Sequence, residues 1–354
     1  MSGTAEHLFP YRWNLADGYP AKGIKPNGCK VFGTFICGGG STMGYKLAGY
    51  EHLGGVEIDP KIADVYRENH KPKHLYVEDI RLFNKRTDLP AELFELDLLD
   101  GSPPCSTFSM AGSREKAWGK KKQFREGQAV QVLDDLVFEY VRTIDKLQPK
   151  VCLLENVSGI IKGNAKVYSK EIGRQMTAAG YRVQVFLLNA ASMGVPQKRE
   201  RVFFIGLRKD FDLPELRLRF DELPIPFKYV DEGNVIRKGI RDGIKDYYEI
   251  TPMGKCVSDV HPKGMYFGTY KQHPDLVSNT VIADNGGGIM LHHKEHGYLT
   301  NSEYCMIGTY PLDYNFKTIE PKYLIGMSVP PVMTAQIANQ TWIQWLSKIK
   351  PKTT

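Results

Sequence analysis

A cysteine stands in a loop whose backbone two prolines constrain. The apolar segment Leu96–Asp100 leads into Gly101–Cys105, which reads GSPPC. Proline fixes its own φ and restricts the residue before it, so the thiol of Cys105 is held in a defined place. A free cysteine is most often a small buried hydrophobe, but a thiol held beyond a strand can also be a nucleophile. The loop alone leaves both interpretations open.

Charged side chains adjoin two further apolar segments. Glu155 directly follows the predicted strand Val151–Leu154, where a carboxyl group can act as an acid or a base. Arg199 and Arg201 precede the predicted strand Val202–Leu207, and strand alternation directs both to one side. A structural acid with backbone partners and a solvated charged face are the simpler interpretations, so these roles stay open.

A glycine-rich turn ends the first predicted strand, Val31–Cys37, and a predicted helix over Ser41–Gly49 follows it. Glycines at such a turn let a ligand approach the backbone N–H groups. Glu57 comes nineteen residues after Gly38, a spacing at which an acid can accept hydrogen bonds from ribose hydroxyls. Because the full G-x-G-x-x-G pattern is missing, the turn favours an adenosine ligand other than NAD.

These residues need a scaffold, and strands alternate with helices up to Leu207. Further strands are predicted over Gly54–Ile58, Leu96–Asp100 and Val183–Leu188, and further helices over Pro60–Asn69, Val130–Leu147 and Lys170–Ala179. The alternation predicts an α/β fold with a mainly parallel sheet and helices on both faces. Beyond it, proline, glycine and aromatic residues indicate a smaller, irregular or β-rich second domain. A helix over Pro331–Trp345 is expected to return to the first domain.

The amino-acid composition excludes some classes of protein but leaves many open. The chain has 354 residues, 42% of them apolar, which suits about two globular domains and excludes a collagen or a disulfide miniprotein. The formal net charge of +7 permits a nucleic-acid partner without requiring one. None of the six cysteines forms a C-x-x-C pair, so we predict no metal. No secretory signal or membrane-spanning run is evident, which predicts a cytoplasmic protein with free thiols and no membrane partner.

Taken together, these residues resemble the DNA (cytosine-5)-methyltransferase family of bacterial or phage type. The resembling motifs follow the family's order along nearly the whole chain. They are Phe35–Gly40, Glu57–Asp59, Glu78–Ile80, Pro104-Cys105, Glu155–Val157, Gly194–Val202, Leu299–Phe316 and Gly326–Pro331. The resemblance implies the Rossmann-like fold of S-adenosylmethionine-dependent methyltransferases. It assigns residues 1–207 and 310–354 to a discontinuous catalytic, cofactor-binding domain and residues 208–309 to a target-recognition domain.

The resemblance also implies roles in catalysis. Cys105 would add to carbon 6 of a cytosine that has been flipped out of duplex DNA, so that carbon 5 can attack the methyl group. Glu155 would protonate or hydrogen-bond N3 of the ring, Arg201 would hold O2, and Arg199 would order the site. The methyl donor would be S-adenosylmethionine, which leaves as S-adenosylhomocysteine. The implied cofactor-binding residues are Ile36, Gly38, Gly39, Gly40, Ser41, Glu57, Ile58, Asp79, Ile80, Pro104, Leu136, Ser328 and Val329.

The family carries a mobile DNA-contacting loop just after the nucleophile, which corresponds here to residues 113–125. This segment holds six basic residues and one acid, and its lysines and arginines would contact phosphates. A surface charge run is the simpler interpretation, but the position beside Cys105 favours DNA binding. The implied DNA-binding residues are Ser109, Arg114, Lys116, Lys120, Lys121, Lys122 and Arg125.

Three positions depart from the family's pattern: Ile36 replaces a phenylalanine, Ser106 a glutamine and Met327 an asparagine. Because Cys105, Glu155, Arg199 and Arg201 all remain, we expect an active enzyme. The resemblance further implies a monomer in a bacterial or phage-infected cell, with a cognate restriction endonuclease as a partner. The alternatives are an RNA cytosine-5 methyltransferase, a non-catalytic DNA-binding relative, and a nucleotide-dependent oxidoreductase. The last would leave Cys105 and Glu155 unexplained.

Overall fold

The computed structural model describes residues 7–20, 22–104, 135–163, 165–283 and 288–349. The chain divides into two compact units, which we call the sheet unit and the second unit. The sheet unit comprises Ile24–Leu188, Glu200–Arg219 and Ile337–Thr354, and the second unit comprises Met1–Gly23, Asn189–Arg199 and Phe220–Gln336. The functional division at residues 207 and 310 stays a prediction, and the units defined by packing have different bounds.

The sheet unit contains a seven-stranded sheet, which confirms the predicted α/β class. Its strands are β1 (Lys30–Thr34), β2 (Glu51–Glu57), β3 (His74–Val77), β4 (Leu98–Gly101), β5 (Val151–Val157), β6 (Tyr181–Asn189) and β7 (Glu200–Arg208). They lie in the order β3-β2-β1-β4-β5-β7-β6. Strands β1 to β5 pair in parallel, and β7 runs antiparallel to β5. The sheet is therefore mainly parallel, as the alternation predicted.

The helices of the sheet unit connect these strands. They are α1 (Gly40–Leu47), α2 (Pro60–His70), α3 (Ile80–Lys85), α4 (Leu136–Leu147) and α5 (Ala165–Ala178). Asp59 begins α2 by accepting hydrogen bonds from the N–H groups of Lys61 and Ile62. One core cluster packs side chains of α3, α4 and α5 on strand residues such as Phe32 and Val202. This packing fixes the strand ends that carry the predicted site.

Several predicted boundaries were wrong. Strand β1 ends at Thr34 instead of Cys37, because Phe35 and Cys37 adopt positive φ angles of 56° and 48° that no regular strand permits. Strand β5 continues through Glu155, so this carboxylate lies inside a strand instead of after one. Strand β3 was missed, because its four residues are half-buried or exposed and show no apolar run.

The second unit is irregular. Its helices are α6 (Asp242–Tyr248), α7 (Asn301–Gly308), α8 (Pro321–Met327) and the first part of α9 (Pro331–Thr341), and in the described chain isolated bridges replace strands. A π-helical turn over Trp342–Leu346 and α10 (Ser347–Ile349) follow α9, in agreement with the predicted terminal helix. Among the described residues, no helix has the length and apolar character to cross a bilayer.

Candidate active site

The carboxyl ends of β1 and β4 lie side by side where the strand order reverses. The chain passes from β1 to β2 and β3 on one side, and from β4 to β5 on the other. Ligands of open parallel sheets bind in the crevice beyond such a point. The glycine-rich turn follows β1, and Pro103 and Pro104 follow β4, so both predicted motifs lie at this edge.

Left-handed residues shape the glycine-rich turn. Phe35, Cys37 and Gly39 have positive φ angles, and Gly39 is the N-cap of α1. A Cβ at Gly39 would overlap the buried ring of His70. The sequence analysis singled out Gly38 and Gly40. In the structure it is Gly39 whose positive φ and close neighbours require a glycine. The role of all three glycines toward a cofactor stays a prediction.

Glu57 ends β2 beside this turn and organises it. Its Oε2 accepts a hydrogen bond of 2.9 Å from the N–H of Cys37, and its Oε1 accepts one of 3.0 Å from the N–H of Asp59. Burial raises the pKa of Glu57 to about 7, and these two hydrogen bonds oppose the shift. Each carboxylate oxygen has a second acceptor position, so Glu57 can still accept hydrogen bonds from ligand hydroxyls.

The predicted cofactor residues beyond Glu57 offer different amounts of surface. Asp79 is the N-cap of α3 and accepts a hydrogen bond of 2.8 Å from the N–H of Arg81. Ile80 and Leu136 belong to the core and are 3% and 1% exposed, so their side chains present little surface to a ligand.

Three other predicted cofactor residues are half-buried and so offer more surface to a ligand: Ser41, Ile58 and Pro104. Ile36 is buried at the edge of the turn.

An ion pair joins Glu155 and Arg201 across the antiparallel strands β5 and β7. Nε of Arg201 lies 2.9 Å from Oε1 of Glu155, and the two side chains are 15% and 11% exposed. Residues Val157 and Arg201 are paired in the strand register, which places the guanidinium diagonally opposite the carboxylate. Burial lowers the pKa of Arg201, and the charge of Glu155 opposes this shift. The pair therefore combines a carboxyl group with a fixed cationic donor.

Asn156 ties β5 to the segment that leads into Cys105. Its Nδ2 donates a hydrogen bond of 3.2 Å to the carbonyl of Pro103, and its Oδ1 accepts one of 2.9 Å from the N–H of Val157. The side chain is buried. Asn156 thus fixes the backbone just before the predicted nucleophile, although the sequence offered it only as part of a motif.

Three predicted site residues belong to the second unit. The guanidinium of Arg199 is buried and donates to the carbonyls of Val281, at 3.2 Å, and Gly326, at 2.9 Å. Ser328 accepts a hydrogen bond of 2.6 Å from the hydroxyl of Tyr310, and Val329 is buried. Strand β7 begins at Glu200, so the alternation used to orient Arg201 does not extend to Arg199. The described partners of Arg199 give it a structural role, and its catalytic role stays a prediction.

Other predictions fall outside the described residues. These concern Cys105, Ser106, Ser109, Arg114, Lys116, Lys120, Lys121, Lys122 and Arg125.

A comparison with protein-family models decides the relationship that the motifs suggested. The model described as C-5 cytosine-specific DNA methylase matches residues 30–247, more than half of the chain. The chain belongs to this family. The match extends over β1 to β7 and therefore includes the crevice, Glu155 and Arg201.

Among family relatives, M.FnuDI of Fusobacterium nucleatum, a type II methyltransferase, is 34% identical over 64% of this chain. The chain spans only 58% of that protein's length. M.NgoFVII of Neisseria gonorrhoeae, also a type II methyltransferase, is 29% identical over 88% of this chain and 85% of its own. A candidate DNA modification methyltransferase encoded within an E. coli prophage matches with a TM-score of 0.69 at 18% identity, covering 89% of this chain and 99% of its own. This structural match supports the fold.

This family member also groups potential metal ligands in its second unit. Asp231, His292 and His293 hold ligating atoms within 4.8 Å of one another. However, Nδ1 of His292 accepts hydrogen bonds from the N–H groups of Lys294 and Glu295, so its Nε2 carries the proton and donates it to Asp231. That hydrogen-bonding pattern fits an internal polar network instead of a cation site.

Sequence reasoning missed a second buried carboxylate at the crevice. Asp100 lies in β4 and is 5% exposed, and the hydroxyl of Tyr45 donates a hydrogen bond of 3.1 Å to its Oδ1. The signal was visible, because an aspartate that ends an apolar run is seldom buried without a partner. It was read only as the end of a strand.

Proposed function

We propose that this chain transfers a methyl group from S-adenosylmethionine to carbon 5 of a cytosine in duplex DNA, through a covalent bond between Cys105 and carbon 6. One observation carries the proposal. The Glu155–Arg201 ion pair has little exposed surface, and its carboxylate lies on β5, the neighbour of β4, the strand that leads through Pro103 to Cys105. Membership of the C-5 cytosine-specific DNA methylase family supports the same reaction.

The residues of the crevice fit an adenosine cofactor. Glu57 is a buried carboxyl group at the end of the second strand, and its oxygens can accept hydrogen bonds from the hydroxyl groups of a ribose. The left-handed Gly39 turns the chain sharply into α1 beside Glu57. We assign Gly38, Gly39, Gly40 and Glu57 to this cofactor, which supplies an electrophilic methyl group when bound.

The chain's own groups would activate the cytosine. The thiolate of Cys105 adds to carbon 6, while Glu155 donates a proton or a hydrogen bond to N3, so the electrons of the C5–C6 double bond become available at carbon 5. Arg201 holds O2 of the ring and orients Glu155 through their ion pair. After methylation a base removes the proton from carbon 5. The double bond then reforms, and Cys105 leaves as the thiolate.

DNA would be held from several parts of the chain. The basic segment 113–125 would contact phosphates and help to flip the cytosine, and residues 208–309 would select the target sequence. The type II names of the relatives suggest a restriction–modification role with a cognate endonuclease. We propose that the chain works as a monomer.

The test is methyl transfer from labelled S-adenosylmethionine to duplex DNA or to RNA of the same sequence. We expect label in duplex DNA from the wild-type chain. Cys105→Ser should lower the incorporation at least about 1000-fold, because a hydroxyl is a far poorer nucleophile than a thiolate near neutral pH. Glu155→Gln should reduce the rate about 100-fold or more, since an amide cannot donate the carboxyl proton.

Cys256→Ser is the matched control, because Cys256 is a buried thiol of the second unit that bonds to the carbonyl of Tyr266. It should leave labelling unchanged. A denaturation-resistant adduct with DNA that contains 5-fluorocytosine would identify Cys105 directly. Label in RNA alone would overturn the proposed substrate, and no label with DNA that the protein binds would favour a non-catalytic relative.

A further inference from the structure

His70 lies directly against the glycine-rich turn. It is the last residue of α2, and it is buried. Its Nε2 lies 3.2 Å from the carbonyl oxygen of Gly38. A Cβ added to Gly39 would overlap this same nitrogen, so the ring is in direct contact with the turn. The turn is therefore supported by a polar side chain to which the proposed reaction gives no role.

The ring of His70 is the donor of this hydrogen bond. A carbonyl oxygen can only accept, so the proton lies on Nε2. Burial, together with the positive charge of Lys46, lowers the pKa of His70 to about 3. The ring is therefore neutral near neutral pH, and its single N–H is the one that bonds to Gly38.

Neighbouring groups hold the ring in place. Tyr66 lies four residues earlier on the same face of α2, and the ring centroids of Tyr66 and His70 are 4.6 Å apart. The hydroxyl of Tyr66 lies 3.0 Å from that of Thr42 on α1. The Nζ of Lys46, also on α1, donates to the backbone carbonyl of His70 at 3.3 Å. The last turn of α2 is thus joined to α1, the helix that follows the glycine turn.

The backbone of the turn is strained, so it needs such support. Phe35 and Cys37 carry side chains and still adopt positive φ angles of 56° and 48°. Conformations of this kind persist where the surrounding structure imposes them. Glu57 holds the turn by the N–H of Cys37, and His70 holds it two peptide bonds later by the carbonyl of Gly38. The two side chains together fix the path of the chain into α1.

We propose that His70 is a positioning residue for cofactor binding: its Nε2–H holds the glycine turn in the conformation that receives S-adenosylmethionine. It acts on the cofactor through Gly38 and Gly39. A preformed turn loses less conformational freedom on binding, so the hydrogen bond adds to the affinity. Without the bond only a fraction of the molecules has the competent turn, and the apparent Kd rises in inverse proportion to that fraction. The inference rests on the proposed function, in which the glycine turn and Glu57 hold this cofactor.

The experiment compares His70→Met with His70→Gln, which introduce unbranched side chains of similar size. The amide of glutamine can donate to the carbonyl of Gly38, whereas methionine fills the space without an N–H donor. Isothermal titration calorimetry with S-adenosylhomocysteine measures the Kd without DNA or turnover. His70→Met should raise this Kd about 5- to 10-fold, the effect of one lost hydrogen bond, and His70→Gln should stay within about 2-fold of the wild-type chain. In methylation assays His70→Met should raise the KM for S-adenosylmethionine and leave kcat at saturating cofactor unchanged.

Tyr181→Phe is the matched control for a loss of stability. The buried hydroxyl of Tyr181 donates to the carbonyl of Pro149 at 2.6 Å, just before the start of β5 and so at the edge of the sheet opposite the turn. This variant also removes a donor from a buried carbonyl, so it should lower the free energy of unfolding in urea. It should leave the Kd and the KM for the cofactor unchanged, because it does not touch the turn.

The outcomes separate this inference from the function beneath it. An unchanged Kd in His70→Met, or an equal rise in His70→Met and His70→Gln, would overturn the inference and leave the proposed function intact. Nitrogen NMR of the wild-type chain needs no variant and should show a neutral His70 ring protonated on Nε2. A ring protonated on Nδ1 alone would also overturn the inference. A wild-type chain that binds neither S-adenosylmethionine nor S-adenosylhomocysteine would overturn both.

Discussion

Gly39 is a position where backbone and surroundings both exclude a side chain. Its φ of 78° is left-handed, and an added Cβ would overlap the ring of His70 and lie 3.0 Å from the ring of Tyr66. Left-handed backbone costs a residue with a side chain about 1–2 kcal/mol, and overpacking adds about 1–3 kcal/mol. Gly39→Ala should therefore lower the free energy of unfolding by about 2–5 kcal/mol in urea denaturation.

Gly173→Ala is the matched control for this change. Gly173 lies inside α5, and a Cβ there would have no heavy atom within 4 Å. This alanine should stabilise the protein by about 0.5–1 kcal/mol, because glycine is a poor helix former. Equal effects of the two substitutions would contradict the strain assigned to Gly39.

The sequence indicated functional residues best where a pattern of spacing accompanied the residue type. Glu57 was found from its distance to the glycine turn, and it does bond to that turn through the N–H of Cys37. Gly39 was not distinguished from Gly38 and Gly40, because the sign of φ follows from the path of the chain and not from three identical residues. Asp100 was not recognised, because it closes the apolar run Leu96–Asp100 and was taken only as the end of a strand.

The hydroxyl of Tyr140 adds hydrogen bonds between helix α4 and the centre of the sheet to the apolar packing of that helix. The Oη of Tyr140 lies 2.7 Å from the carbonyl of Leu153 and 3.0 Å from that of Leu99, and the residue is fully buried. A buried carbonyl that loses its donor keeps a desolvation cost. Tyr140→Phe should therefore lower the free energy of unfolding by about 1–2 kcal/mol in urea denaturation.

Tyr229→Phe provides the comparison, because the Tyr229 side chain is 42% exposed. Water can take the place of the removed hydroxyl, so the free energy of unfolding should change by no more than about 0.5 kcal/mol. If Tyr140→Phe proves as mild as this control, the hydroxyl of Tyr140 does not fasten α4 to β4 and β5.

Strands with long apolar runs could be predicted from the sequence. Strands that form because of their pairing with adjacent strands could not. The strands over Val151–Leu154 and Val202–Leu207 were recognised from their composition, although β5 and β7 extend further. Strand β3 was missed, because its pairing with β2 and not its side chains makes it a strand. The antiparallel direction of β7 likewise depends on the path of the chain, and the residues of the strand do not indicate it.

Charge is unevenly distributed along the chain. Residues 113–125 hold six basic residues and one acid, and so contribute +5 of the formal net charge of +7. The remainder of the chain is nearly neutral. Composition alone gave a weak argument for DNA, whereas the place of the charge, just after Cys105, gives a specific one.

If this segment contacts phosphates, replacing Lys120, Lys121 and Lys122 with glutamine should weaken DNA binding and reduce its salt dependence. Each lysine that neutralises a phosphate releases a counterion, so the slope of log K against log salt should fall by about one per contact, up to about three. Fluorescence anisotropy with duplex DNA at several salt concentrations measures this slope. The charge-matched control replaces the exposed residues Lys162, Lys166 and Lys170, near and on α5, and should leave the slope unchanged. The same slope in both triple variants would mean that the segment after Cys105 does not meet the DNA backbone through these lysines.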